Sequence, residues 1–488
     1  MSSRPTQELF ISILIIAILI RNVVSDGTQL CDTCTCTDFS VNCSDKGQIE
    51  ILNLWNHEVA LSEAVIIHFD YNNIVHVQQL PPSKVKYLSL QHNRISKIDD
   101  FAFANLHSLI DLDLSYNALT PDTLDSNIFK TNQEAESTFH TSLKHLNLNN
   151  NGLHSLRANT FKDLSTLSSL TLAGNPFKVI DRSTSFALSS LPFLKNLDLT
   201  DTSLENLPEH FLHTPRYLES LNLSKNMFNH VPRELAEAHM LRRLDLSYNP
   251  IQNISNFPKM SWLKILHLSH MPNLNTIDEH AFSLLTNLEE FYCSHNLQLH
   301  SIAPNAFSYE AHDGSEGEQW PHIVKLYLNH NSLGYLDSRL LSRWDTLQDL
   351  NLQGNKWICD CENQWLVSTL APMVEARHAE FLKDFTCQEP IEMRGVSILD
   401  LDHRHYHLRC LDFYNHRPER DGVLLVGILI GVILSVPFTM AFMMYCARKK
   451  NSLSYYHRML NFKGPLPHEF QLRETPVYQP TSINVDGY

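Results

Sequence analysis

Residues 109–117 read LIDLDLSYN and residues 143–151 read LKHLNLNNN, one pattern written twice. Leu109, Leu112, Leu114 and Asn117 recur as Leu143, Leu146, Leu148 and Asn151. The inner leucines alternate with polar residues, so both point to one side of a short strand. The Asn carries amide donors and a carbonyl acceptor, a set suited to buried backbone groups at a bend. Further copies end at Asn175, Asn226, Asn249, Asn331 and Asn355, and weaker ones at Asn72, Asn93 and Asn296. Thr202 and Met271 stand where two more copies would carry Asn. Twelve blocks result, most of them 21–27 residues apart. A repeat of this length cannot bury its own apolar edge, so the blocks must stack into a solenoid with one concave parallel sheet.

A second apolar set follows the strands, as in Ile98, Phe103 and Leu106, again in Leu156, Phe161 and Leu164, and in Ile277, Phe282 and Leu285. It is expected to pack the convex side of each coil. Two steps are long, and their surplus is polar: residues 131–141, and residues 308–322 with the stretch DGSEGE at 313–318. Both read as loops leaving the solenoid.

Two apolar segments set the expected topology. Leu9 to Ile20 forms a short apolar run after Arg4, followed by small and polar residues through Ser25. That is the layout of a secretory signal peptide over residues 1–25. Residues 422–447 contain no charge, long enough to cross ~30 Å of hydrocarbon. Arg448, Lys449 and Lys450 follow at once. The positive-inside rule then predicts a type I protein of the plasma membrane, with residues 448–488 as cytoplasmic tail. The formal net charge of −15 argues against general nucleic-acid binding, which needs basic patches.

Eight of the ten cysteines form two clusters, at 31, 34, 36 and 43 and at 359, 361, 387 and 410. A secreted context makes each a disulfide set. Four cysteines allow three connectivities, and spacing does not choose among them. Cys293 occupies a leucine position and reads as a buried thiol filling apolar space. Cys446 lies at the cytosolic membrane edge, a candidate for S-acylation.

With these motifs in place, the chain resembles the animal extracellular leucine-rich-repeat family with flanking cysteine caps. The N-terminal match is Cys31, Cys34, Cys36 and Cys43; the C-terminal match runs from Asn355 and Trp357 through Cys359, Cys361, Trp365, Cys387 and Cys410. The resemblance implies an α/β-type solenoid, a leucine-rich-repeat horseshoe with disulfide caps and one transmembrane helix. It implies the pairings Cys31–Cys36, Cys34–Cys43, Cys359–Cys387 and Cys361–Cys410. The expected organisation is a cap over 26–48, about twelve repeats over 49–355, a second cap over 356–411 and a linker over 412–421. Members act mainly in adhesion, ligand recognition and receptor assembly. The expected role is therefore cell adhesion or cell–cell recognition through an extracellular protein ligand or membrane receptor. The alternative is a receptor or co-receptor, immune ones included, signalling through an associated chain.

No catalytic or cofactor signature stands out: GxSxG, HExxH and P-loop patterns are missing, so an enzyme, a cofactor and a metal are not expected. Twenty-seven histidines read as scattered over loops and strand faces. Sequons place candidate glycans on Asn42, Asn222 and Asn253. Gly427 and Gly431 form a GxxxG that would let two membrane helices meet in a homodimer. In the tail, Tyr456 opens a sorting-like or docking motif, and Tyr488 ends a loose PDZ-ligand match.

Strand alternation also predicts which side chains leave the concave sheet. Early strands present Asp111, Asp113, Asn147, Ser169 and Thr171; middle ones present Asp198, Asn222, Arg243 and Asp245. Late strands present Ile265, His267, Tyr292, Lys325 and Tyr327. Only the late group joins aromatic and aliphatic residues, and Tyr is enriched among interface hot spots. Ile265, His267, Tyr292 and Tyr327 are therefore the predicted contact.

Overall fold

A computed structural model describes residues 31, 33–51, 63–130, 142–310, 318–341, 343, 346–378, 384–410 and 418–460, with side chains from 31 to 410 and from 422 to 450. The expected signal peptide, most of the tail with Tyr488, and the loop 131–141 lie outside the described residues, as does the Tyr456 side chain. The chain divides into two units, residues 1–410 and 411–488.

The first unit is a parallel β-solenoid. Twelve three-residue strands, from Ile66–His68 to Asp349–Asn351, hydrogen-bond side by side in chain order. Register is fixed leucine to leucine: Leu112 pairs with Leu146, Leu146 with Leu170 and Leu221 with Leu244. These leucines are buried, and each contributes roughly 1.5–3 kcal/mol by leaving water. A one-residue slip would turn the whole set to solvent, so burial enforces the register.

The repeat asparagines stitch successive coils together. Asn175 donates to the carbonyls of Leu148, one coil back, and of Leu172 in its own coil, at 2.9 and 2.8 Å. Its Oδ1 accepts from the backbone N–H of Asn151 and Leu153. Asn72, Asn93, Asn117, Asn151, Asn226, Asn249, Asn331 and Asn355 likewise donate to carbonyls on two coils. Where Asn is missing, the Thr202 hydroxyl donates to Leu199 and to Asn226 Oδ1. Met271 is buried, and its backbone N–H donates to Asn296 Oδ1.

The returning segments hold the second apolar set. Phe282, Phe291 and Phe307 pack with centroids 5.0–5.1 Å apart. Helix is sparse there: the described returns carry one α-helix, Arg182–Ser189, and short 3-10 turns such as Arg233–Glu237. Asp181 caps the α-helix by accepting from the Thr184 N–H at 2.7 Å. The polar loop within 308–322 leaves through an antiparallel pair, Tyr309–Glu310 with Glu318–Gln319.

Disulfides close both ends: Cys31–Cys36, Cys34–Cys43, Cys359–Cys387 and Cys361–Cys410. The N-terminal cap also extends the sheet. Ser40–Asn42 pairs in parallel with Ile66–His68, and Thr35–Cys36 adds an antiparallel outer strand. Fourteen strands thus share one sheet, two more than the repeats supply. The exposed edge is met by backbone pairing as well as by coverage. At the other end Trp357 is fully buried against Phe385, and the Trp365 indole donates to the Leu336 carbonyl at 2.7 Å.

The described part of the second unit is one helix, Pro418–Leu460, longer than the predicted span. Within it Gly422–Lys450 is long and apolar enough to cross a membrane. Gly427 and Gly431 have no neighbour packed on them among the described residues. Cys446 is exposed on this helix.

Candidate functional site

Along most of the concave face, polar side chains are engaged by the fold itself. Asp113, Asn147, Asp198, Asn222 and Asp245 each accept from the backbone N–H two residues on, at 2.9–3.1 Å. These Asx turns close the ends of those five strands. They also bond sideways: Asn147 donates to Asp113, and Thr171 to Asn147, both at 2.9 Å.

The late strands are different. His267, Tyr292 and Tyr327 are cross-strand partners. Their rings stack, with centroids 4.4 Å apart for His267–Tyr292 and 5.0 Å for Tyr292–Tyr327. Three of the four predicted contact residues therefore form one column. Ile265 stands in the adjoining column, whose next members, Glu290 and Lys325, are ion-paired at 3.1 Å.

His267 is the most enclosed of the group. Burial holds its imidazole below the ordinary histidine value; Asp245 and Glu290 oppose this and Arg243 adds to it. Its buried Nε2 has no partner among the described residues. Burial raises the Tyr292 hydroxyl pKa, and a bond to Glu290 raises it further. Tyr327 is raised by burial and by Asp349. All three side chains are neutral at physiological pH, so the column offers apolar ring area with polar tips.

A second column runs beside the first, and sequence reasoning missed it. The residue before each repeat Asn, or before its Thr202 or Met271 substitute, has a left-handed backbone, φ 51–68° in all twelve turns. Side chains of the same turn position are thereby aimed alike. Tyr248, His270, His295 and His330 occupy four consecutive turns, and their rings stack at 4.6, 4.5 and 4.6 Å. Each backbone N–H of these four donates to the next coil at 2.8–3.0 Å, which offsets the strain of positive φ. His tolerates this conformation better than most residues. The column ends at Gly354, where a Cβ would collide with the His330 ring. An early counterpart stacks Tyr71, His92 and Tyr116 at 4.3 and 4.1 Å. The signal was present in the spacing: an aromatic immediately before the repeat position in successive blocks. The histidines taken as scattered are, in this part of the chain, ordered.

Stacked imidazoles present their edges side by side and do not converge on one point. Among the described residues, no group of three His, Cys, Asp or Glu is placed to hold a metal ion. Cys293 lies directly behind this face, fully buried. Burial pushes its thiol up to about 12. It also accepts a hydrogen bond from Asn296 Nδ2 at 3.1 Å, so it is more than an apolar filler.

Comparison with known proteins agrees with this architecture. The leucine rich repeat family model matches residues 83–130, 141–195 and 192–251, and a BspA type leucine rich repeat region matches 237–312. CD180 antigen of Mus musculus is 26% identical over 344 residues, 70% of this chain and 45% of the relative. Lumican of Bos taurus is 30% identical over 239 residues, 45% of this chain and 66% of that one. Toll-like receptor 2 of Macaca mulatta is 28% identical over 215 residues, 43% of this chain and 24% of the receptor. The chain thus spans less than half the length of CD180 antigen and about a quarter of Toll-like receptor 2. Among solved structures, a chain of the Drosophila Toll–Spatzle complex aligns over 74% of this chain and 57% of its own, at 19% identity and a TM-score of 0.46. Twelve stacked coils, a buried column of repeat asparagines and the matching family models lead to one assignment: the chain belongs to the leucine-rich-repeat family.

Proposed function

We infer that the chain is a cell-surface recognition protein that binds an extracellular protein partner through the late concave face. The stacked column His267–Tyr292–Tyr327, bordered by Ile265, carries this reading. It is a stretch of the sheet rich in ring area, and half-buried Tyr side chains bind at low entropic cost. The supporting topology is a type I protein: signal peptide 1–25, caps and repeats outside, span 422–447, tail inside. Glycans on Asn42, Asn222 and Asn253 belong to the same picture.

The test is the double substitution Tyr292→Ala and Tyr327→Ala in a chain that still reaches the cell surface. Cell aggregation and binding of candidate ectodomains are then measured. Loss of binding by tenfold or more, about 1.4 kcal/mol, supports the patch, and unchanged binding rejects it. Protease added to intact cells should remove an epitope at residue 30 and spare one after Tyr488; the reverse would overturn the topology.

A second reading, a receptor or co-receptor signalling through an associated chain, draws support from the similarity to CD180 antigen and Toll-like receptor 2. Homotypic clustering of transfected cells favours adhesion. Its absence, together with a co-purifying membrane partner, favours the co-receptor.

A further inference from the structure

The column of His270, His295 and His330 has an unusual composition for one open to water. Three imidazoles follow one another at 4.5 and 4.6 Å, the first pair stacked and the second tilted by 32°, closed on one side by Tyr248. Beyond Tyr248, Lys225 holds its ammonium 5.5 Å from the Tyr248 ring centre and adds positive charge at that end. At the other end stands Gly354, with no side chain, and its N–H donates to the carbonyl of Asp384, an exposed acidic residue, at 3.1 Å. Between this column and the His267 column lie uncharged Ser247, Ser269, Ser294 and Asn329. Asp245, Arg243 and Glu290 act on His267, and none of them is among the groups that shift His295.

We propose that His270, His295 and His330 form an acid-responsive spine, stacked when neutral and forced apart when protonated, so that the adjoining His267–Tyr292–Tyr327 patch is ordered at neutral pH and loosened in acid. This deepens the contact reading above, and its bearing on release of a partner rests on that reading.

The physics is like-charge repulsion at short range. One imidazolium in the stack can be tolerated against a neutral ring, whereas two neighbours repel. Consistent with this, partial burial and then the charges of His270 and His330 hold His295 below its ordinary value of 6.5. The sign follows from linkage. An unfolded or opened turn takes up the His295 proton near 6.5, before the folded form does, so order is complete above that pH and is lost as pH falls below it. The early column supplies the contrast. His92 lies between Tyr71 and Tyr116, and an imidazolium there is attracted by both ring faces.

The amides of His270, His295 and His330 donate to the next coil, as do those of Leu268 and Cys293 in the patch. Their protection is therefore a direct readout. Hydrogen exchange of the full-length chain in detergent micelles is measured at pH 7.4 and 5.5 and corrected for intrinsic rates. Protection at these five amides should fall about tenfold in acid, while the amides of His92 and Tyr116 hold theirs. His295→Tyr, which gives the late column the alternation of the early one, should abolish the loss. Equal protection at both pH values, a loss of the same size at His92, or an unchanged loss in His295→Tyr would each overturn the spine. No partner is needed, so this result is independent of the Tyr292 and Tyr327 binding test.

Discussion

The Tyr292 hydroxyl donates to Glu290, two residues back on the same strand, at 2.8 Å. Lys325 grips the same carboxylate from the next strand at 3.1 Å. The pair fixes the Tyr292 ring between His267 and Tyr327. Burial pushes the Glu290 carboxyl up, yet the bonds from Tyr292 and Lys325 outweigh it and hold the pKa below the ordinary 4.5. A depressed carboxylate stabilises the fold above its unfolded pKa and loses that contribution as pH falls through the folded one. Glu290→Gln should therefore cost about 1 kcal/mol at neutral pH. Thermal unfolding followed downward in pH should show the two proteins converging below about pH 4, under the ordinary carboxylate value. A gap that persists in acid would show that the charge is not its source.

Asn175 is fully buried and serves two donors and two acceptors across neighbouring coils. Asn175→Ala orphans several of them at once, each costing roughly 1–3 kcal/mol. Destabilisation of about 3 kcal/mol or more is expected in urea unfolding, with poor surface delivery. Met271→Leu, at a coil already lacking the side-chain bonds, should cost under ~1.5 kcal/mol.

Cys293, with its thiol near 12 and no exposure, should be inert to a thiol reagent at pH 8 in the native protein and react stoichiometrically in denaturant. Reaction in the native state would mean that the late coils open readily.

Breaking the Cys359–Cys387 bridge, whose cysteines are 28 residues apart, should cost ~2–5 kcal/mol. Trp357 and Phe385 pack beside it, so the cap should loosen first. Limited proteolysis of the paired Cys359→Ala, Cys387→Ala protein should cut near residues 356–410 before it cuts within the repeats.

Much of this architecture was legible because its causes are local and periodic. Leu112 and Leu114 announce a strand by alternation, and Asn117 announces the bend that needs its amide. The column His267–Tyr292–Tyr327 could be read from the same alternation, because parallel pairing repeats the register from coil to coil. Ile265 was grouped with it by apolarity, although its column continues as Glu290 and Lys325. The Tyr248–His270–His295–His330 column escaped because alternation stops at the strand end. There the direction of a side chain depends on a left-handed backbone, which leaves no mark in hydrophobicity. The two N-terminal cap strands escaped for another reason: pairing of Ser40–Asn42 with the first repeat is set by where the disulfides hold that segment.

The paired strands Tyr309–Glu310 and Glu318–Gln319 close off the base of an excursion before it reaches the coil. On either side of it, Glu290–Tyr292 and Lys325–Tyr327 keep full register. Coil length and rung spacing are thus separate variables: extra chain leaves through a clasp while the sheet counts only rungs. That clasp is a natural graft point. A foreign epitope or small domain set between residues 310 and 318 should ride on the solenoid without disturbing its register, giving a handle for imaging or immobilisation.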